Sequence, residues 1–195
     1  MKPAGEAALD AFLALIAEKG FGEVALRDIA AAAGLGLADL YRLYPDKVAL
    51  VAAFVGRIDG EVLAGTLATN DPEETARDRL FDVLMRRYDA LRPHRAALAA
   101  LRRAATRDPL LAFELGPTVR RSMAAMLEAA SLSSEGLAGL LRQNGLLAID
   151  LAVARVFDQD ETTDLSKTMA ALDGRLKMAE RCAQLVDKYT VSRAA

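Results

Sequence analysis

Apolar residues recur every three or four positions along almost the whole chain, the spacing that places them on one face of an α-helix. The first segment shows this pattern at Leu9, Phe12, Leu13, Ile16 and Ala17. Gly20 should end that helix. Two shorter helices are predicted over about 26–33 and 37–43. A turn that contains Gly34 and Gly36 joins them.

Turn signals divide the rest of the chain into six longer helices. Pro45 and Asp46 should open a helix that ends near Leu67. The segment 69–74 should open the next, with Asp71 as N-cap, Pro72 in the first turn and Glu74 completing a capping box. The predicted helices after that boundary run to about Leu91, from Pro93 to about Thr106, from Asp108–Pro109 to about Ala130 with a break or kink at Gly116–Pro117, from Ser133–Gly136 to about Asp158, and over about Leu165–Tyr189.

The composition agrees with an all-α protein of about nine helices. The 195 residues are 53% hydrophobic and 27% charged, so the chain can bury a core, and only 5% are aromatic. The net charge of −2 neither requires nor excludes nucleic acid. The single cysteine, Cys182, cannot form an internal disulfide. We find no targeting signal and no apolar run long enough for a membrane span, so we expect a cytoplasmic protein without stable membrane insertion.

The segment 26–47, LRDIAAAAGLGLADLYRLYPDK, is the most informative part of the sequence. Two short helices on either side of a glycine-containing turn are the layout of a helix-turn-helix. The second helix of that motif can enter the major groove of DNA.

Residues 8–54 resemble the DNA-binding domain of the tetracycline-repressor (TetR) family of bacterial regulators. The matching phrases are LIAEKGF at 15–21, LRDIA at 26–30, AGL at 33–35, LYR at 40–42 and YPDK at 44–47. The resemblance implies a DNA-binding domain over 1–47 and a ligand-binding and dimerisation domain over 48–195. It also implies a homodimer that binds palindromic double-stranded DNA and responds to a small, apolar effector, most often as a repressor.

The same resemblance assigns six residues to the DNA. Arg27 and Lys47 would meet phosphates, Tyr41 would lie along the backbone, and Arg42 would reach a phosphate or a base edge. The whole set is Arg27, Leu37, Asp39, Tyr41, Arg42 and Lys47. The core of the small domain would comprise Ile29, Ala30, Ala33, Leu35, Leu40 and Tyr44.

Several positions depart from the usual pattern of the family, and they leave a second function open. Ala25 stands where a Thr or Ser usually caps the second helix, and Gly36, Asp39 and Leu43 replace other polar or small residues. Asp39 could accept a hydrogen bond from a cytosine amine. Residues 1–55 hold five basic and seven acidic residues, although DNA-binding domains normally present a basic face.

The alternative function is that of a TetR-fold accessory protein of ubiquinone biosynthesis, which binds lipid or isoprenoid. The segment 78–94 resembles a stretch of bacterial members of that set.

An effector would bind among the middle helices, where large apolar residues could line a cavity with Tyr88 as a polar handle. We assign this role to Phe81, Met85, Tyr88, Phe113, Met123 and Met126, with Leu84, Leu101 and Phe157 as further candidates. Taken singly, each of these residues fits an ordinary core better than a ligand site.

The last helix carries an apolar seam in steps of four and three residues. It comprises Leu165, Met169, Leu172, Leu176, Ala179, Ala183 and Val186. Packing within one chain and packing between two copies both explain this seam.

Catalysis finds little support in the sequence. His94 is the only histidine and lies far from Cys182, so neither a zinc-ligand set nor a Cys–His pair can form from them. No phosphate-binding glycine loop is present, so we expect no enzyme and no cofactor. The acidic segment 158–164 is expected to be a solvated loop.

Overall fold

The computed structural model describes residues 2–66 and 74–191, with side chains described up to Cys182. Over these ranges the chain forms nine α-helices, one turn of 3₁₀ helix at Arg92–His94, and no strand. The helices are α1 Ala4–Lys19, α2 Leu26–Ala33, α3 Leu37–Leu43, α4 Lys47–Thr66, α5 Ala76–Leu91, α6 Arg95–Arg107, α7 Pro109–Ala129, α8 Gly136–Phe157 and α9 Ser166–Val191. The all-α prediction is confirmed.

Local capping signals explain several of these helix ends. Gly34 ends α2 in the left-handed conformation, with φ of 67°, which glycine adopts without steric cost. The carboxylate of Asp108 accepts hydrogen bonds from the amides of Leu110 (3.0 Å) and Leu111 (3.2 Å) and so caps α7. Thr75 caps α5, since its Oγ1 accepts from the amide of Asp78 at 3.2 Å. The capping residues predicted at 71 and 72 lie outside the described residues.

The predicted break at Gly116–Pro117 is wrong, while the alternative of a kink there stays a prediction. α7 continues through Gly116 and Pro117 as a single helix of 21 residues. A proline inside a helix removes the donor for the carbonyl four residues earlier. Pro117 and Phe113 are both exposed, so water can satisfy that carbonyl and the helix need not break.

The chain divides into two compact units. The first unit comprises Met1–Gly60 and Leu91–Ser122, and the second comprises Glu61–Ala90 and Met123–Ala195. The predicted domain boundary at 47/48 stays a prediction. The first compact unit extends beyond residue 47, since it includes the start of α4, all of α6 and much of α7.

In the first unit, α1 packs against α2, α3 and α6. The side chains at the centre of this packing are nearly inaccessible to solvent: Phe12, Ile16, Ile29, Leu40 and Phe54. An ionic cluster also joins α1 to α4, because Arg57 donates to Glu6 at 2.9 Å and to Asp10 at 3.2 Å. Burial alone would lower the pKa of Arg57, but these two carboxylates outweigh it and raise that pKa.

In the second unit, α8 packs against α9, and the loop between them is anchored by Asp160. Asp160 is fully buried. One carboxylate oxygen accepts from the amide (3.1 Å) and hydroxyl (2.5 Å) of Thr162, and the other from the amide (2.8 Å) and hydroxyl (2.7 Å) of Thr168. The prediction of a solvated loop over 158–164 is therefore wrong at this position, because Asp160 caps the first turn of α9 from inside the unit.

The long helix α8 bears on the expectation that no segment spans a membrane. Within the described residues it is the one helix long and apolar enough to cross a membrane by length and composition. A core helix of a soluble protein passes the same test, so this property alone assigns α8 no environment.

Candidate nucleic-acid interface

The short helix α3 is held to the first unit by one side chain and exposes the others. Leu40 is fully buried, whereas the six remaining residues of the helix are exposed. Three of them are large and apolar: Leu37 at 52% exposure, Tyr41 at 60% and Leu43 at 46%. A helix with a single buried anchor can present its outer face to a groove in another molecule.

The entry to α2 lacks the usual side-chain cap, as the sequence predicted. Ala25 occupies the N-cap position in extended conformation and makes no side-chain hydrogen bond there. One of the two hydrogen bonds of a capping box is still present, because the carboxylate of Asp28 accepts from the amide of Ala25 at 3.0 Å. The Asp three residues after the N-cap was a signal for this contact in the sequence.

The start of α2 and the outer face of α3 enclose an open, mainly apolar hollow. Its lining comprises Ala25, Leu26, Arg27, Leu37, Ala38, Tyr41 and Arg42. The structure thus brings four of the six predicted DNA-facing residues around one surface. Asp39 adjoins them through an ion pair with Arg42.

Lys47, the sixth predicted DNA-facing residue, is turned toward the loop between α1 and α2. Its Nζ donates to the carbonyl of Phe21 at 2.6 Å and lies 4.3 Å from the centre of the Phe21 ring. This partial burial lowers the pKa of Lys47. Phosphate binding by Lys47 stays a prediction, and the contact with Phe21 was not visible in the sequence because 26 residues separate the two.

We expect Ala25→Ser to stabilise the first unit. The backbone at Ala25 already has the conformation of an N-cap, so a serine hydroxyl can accept from an amide in the first turn of α2. The expected gain is about 0.5–2 kcal/mol in the free energy of unfolding, measured by chemical denaturation.

The matched control is Ala32→Ser, which adds the same hydroxyl at an exposed interior position of α2. It should be neutral or slightly destabilising, because serine competes for backbone hydrogen bonds inside a helix. Equal effects of the two substitutions would contradict the capping account.

The geometry of α2, the turn and α3 defines a helix-turn-helix protein. Residues 8–54 match the family model described as "Bacterial regulatory proteins, tetR family". The resemblance of this N-terminal segment to the TetR family is thereby confirmed.

Solved structures of TetR-family regulators share the fold. A TetR transcriptional regulator from Nitrosomonas europaea superposes with a TM-score of 0.73 at 23% identity, over 92% of this chain and 99% of that one. A regulator from Rhodococcus sp. RHA1 gives 0.61 at 23% identity, over 89% and 96%. The fatty acid degradation regulator FadR from Bacillus halodurans gives 0.59 at 18% identity, over 90% and 95%. No curated protein matches the sequence significantly.

The predicted effector residues do not gather around one cavity. In the second unit, Tyr88, Met123 and Met126 are closed into the core, and the Tyr88 hydroxyl donates to the carboxylate of Asp150 at 3.0 Å. Phe81 and Met85 are half-buried in the same unit, while Phe113 belongs to the first unit and is 79% exposed.

The second unit also holds an open, mainly apolar hollow of about 690 Å³. Its lining comes from α5, the end of α7, α8 and α9, and includes Leu80, Leu127, Leu141, Leu146, Ile149 and Leu176. None of the predicted effector residues lines it. The periodicity of the sequence identified apolar helix faces but could not show which of them enclose space.

Proposed function

We propose that this protein is a transcriptional regulator that binds double-stranded DNA through the outer face of α3. The observation that carries the proposal is the exposed surface of Arg27, Leu37, Tyr41 and Arg42 around one hollow. It combines cationic groups for phosphates and base edges with apolar groups that can contact thymine methyls. Such a protein works in the cytoplasm, where bacterial DNA lies.

The regulator would act as a homodimer on a palindromic operator. In the second unit, α8 and α9 expose large apolar side chains, among them Leu137, Leu141, Leu151, Met169 and Met178. In the predicted seam of α9, Leu172 and Leu176 are buried within the single chain, whereas Met169 and Ala179 are exposed. Ala183 and Val186 lie beyond the described side chains. A second copy could cover the exposed apolar residues, and two copies of α3 would then read half-sites about 34–36 Å apart.

A small apolar effector would change the affinity of the protein for DNA. The DNA-bound protein would act as a repressor. The apolar hollow of the second unit supports an effector of this class, since ligand sites are concave and mainly apolar. An effector role for Phe81, Met85, Tyr88, Phe113, Met123 and Met126 stays a separate prediction, since none of them lines this hollow. An effector can shift the protein only by its difference in affinity for the DNA-binding and the released state.

The lipid-binding accessory function is not proposed, because no observation favours it. The solved relatives described above are transcriptional regulators.

The proposal is tested by a matched pair of exposed aromatic residues in the first unit. A duplex is first selected from random DNA by the full-length protein. Tyr41→Ala should then lower the affinity for that duplex at least about tenfold, because Tyr41 lies on the face that would meet the DNA. Fluorescence anisotropy at fixed salt provides the measurement.

Phe113→Ala is the control, since Phe113 is even more exposed but lies on α7. With no effector present, the affinity of Phe113→Ala for the duplex should stay within about twofold of the unmodified protein, as expected for a residue away from the DNA. Equal losses for the two variants, or no loss at Tyr41, would contradict the assignment of α3 as the DNA-binding element.

A further inference from the structure

The outer face of α3 carries an acid and a base as a bound pair. Asp39 and Arg42 lie three residues apart and form an ion pair, and more than half of each side chain is exposed. The face of α3 that they share is the one that would meet base edges in the major groove. A carboxylate there is repelled by phosphates, and its ion pair with Arg42 offsets that charge.

The turn before α3 makes room for this carboxylate. A Cβ atom added at Gly36 would lie 3.0 Å from Oδ2 of Asp39, which is tighter than an ordinary van der Waals contact. A side chain at position 36 would therefore require the Asp39 carboxylate to shift by a few tenths of an ångström.

The pair also fixes the orientation of Arg42. Its Nη2 donates to Asp39, and its Nε donates to the carbonyl of Ala38 at 3.3 Å. The guanidinium thus lies along the helix toward the start of α3. Because the pair has no net charge, it adds little to the charge neutralisation that drives phosphate binding. This geometry favours base reading over phosphate binding for Arg42.

The exposed groups of the pair complement guanine and cytosine. Guanine presents two acceptors, O6 and N7, in the major groove, and arginine is their usual donor. Cytosine presents the N4 amine, which can donate to a carboxylate. Adenine also has an amine, but the lone pair of N7 beside it would repel a carboxylate, and thymine has no donor there.

We propose that Asp39 and Arg42 act together as a specificity determinant that selects guanine and a neighbouring cytosine in each half-site. Arg42 donates to the guanine, while Asp39 accepts from the cytosine amine and holds the guanidinium in place. Asp39 thereby increases selectivity while it lowers the overall affinity for DNA. The inference rests on the proposed function, since it needs α3 to enter the major groove.

The decisive variant is Asp39→Asn, studied in the full-length protein. An asparagine side chain bonds N6 and N7 of adenine together, so the variant should select adenine where the unmodified protein selects cytosine. Replacing that cytosine should lower the affinity of the unmodified protein roughly tenfold or more. For the variant, the duplex with adenine should bind at least as well as the duplex with cytosine. An unfolded variant could not acquire a new base preference.

A second variant separates affinity from selectivity. Asp39→Ala should bind a scrambled duplex roughly threefold or more tightly at low salt, because a negative charge near the phosphates is lost, and it should lose the preference for cytosine. Glu18→Ala removes an equal charge from an exposed position on α1 and should change neither property.

The possible results distinguish this inference from the function on which it rests. A specific site without the guanine and cytosine, or an unchanged base preference in Asp39→Asn, would overturn the pair as a determinant and leave the regulator intact. Absence of any specific duplex would overturn the proposed function, and the inference with it.

Discussion

Leu40→Ala is expected to destabilise the first unit by about 3–5 kcal/mol. Leu40 is the one residue of α3 that is fully buried, and α3 packs against both α1 and α2. Truncating a buried leucine removes its transfer free energy and leaves a cavity that the neighbouring side chains fill only in part. Chemical denaturation, followed by far-ultraviolet circular dichroism, measures the loss.

Leu43→Ala is the matched control for Leu40, because it removes the same atoms from the same helix. Leu43 is 46% exposed, so its truncation should cost less than about 1 kcal/mol. Hydrogen exchange adds a local measurement, since Leu40→Ala should weaken protection in α2 and α3 before other parts of the chain. A loss at Leu43 as large as that at Leu40 would contradict the single-anchor description of α3.

Asp160→Asn is expected to destabilise the second unit by about 2–4 kcal/mol at neutral pH. The buried carboxylate accepts four hydrogen bonds from Thr162 and Thr168. An asparagine of the same size replaces one acceptor oxygen with a donor, so at least one buried amide or hydroxyl loses its partner. Glu161→Gln, at the exposed neighbouring position, should change the free energy of unfolding by less than about 0.5 kcal/mol.

The free energy of unfolding of the unmodified protein and of Asp160→Asn, measured as a function of pH, checks the role of the Asp160 charge. Burial alone would raise the pKa of Asp160, but the hydrogen bonds from Thr162 and Thr168 outweigh it and hold this pKa well below its usual range. A carboxyl group with a lowered pKa in the folded state stabilises the protein fully above about pH 4, and this contribution is lost as the pH falls toward the folded-state pKa. The stability difference between the unmodified protein and Asp160→Asn should therefore shrink below about pH 4. A difference that stays constant or grows on acidification would contradict this assignment.

The sequence predicted those structural features that depend on residues close together along the chain. The bounds of α2 and α3 follow from the glycine turn and from the apolar spacing, and the structure reproduces both helices. The exposed face of α3 follows from the resemblance to the TetR family. These signals lie within a few residues of the features that they determine.

Contacts between residues far apart in the sequence could not be predicted in this way. The anchoring of Lys47 by Phe21 and the ionic cluster of Arg57 with Glu6 and Asp10 join different helices. Periodicity likewise shows that a residue belongs to an apolar face but not what covers that face. Phe113 and Met126 illustrate this, since both fit apolar helical patterns, yet one is largely exposed and the other is buried.

The charge of the first 55 residues has a direct consequence for DNA binding. These residues include five basic and seven acidic ones. Asp28 and Asp39 lie beside Arg27 and Arg42, so these two pairs add no net positive charge to the surface around α3. Phosphate contacts are the main source of non-specific affinity. We therefore expect weak binding to random DNA and a correspondingly larger share of base contacts in the specific complex.

The most direct test of the central claim compares two duplexes with the unmodified full-length protein. One duplex is the sequence selected from random DNA, and the other has the same composition in scrambled order. If α3 reads DNA as a regulator does, the selected duplex should bind at least about a thousandfold more tightly at physiological salt, with both affinities falling as salt rises. Equal affinities for the two duplexes, or no binding to either at low salt, would contradict the account.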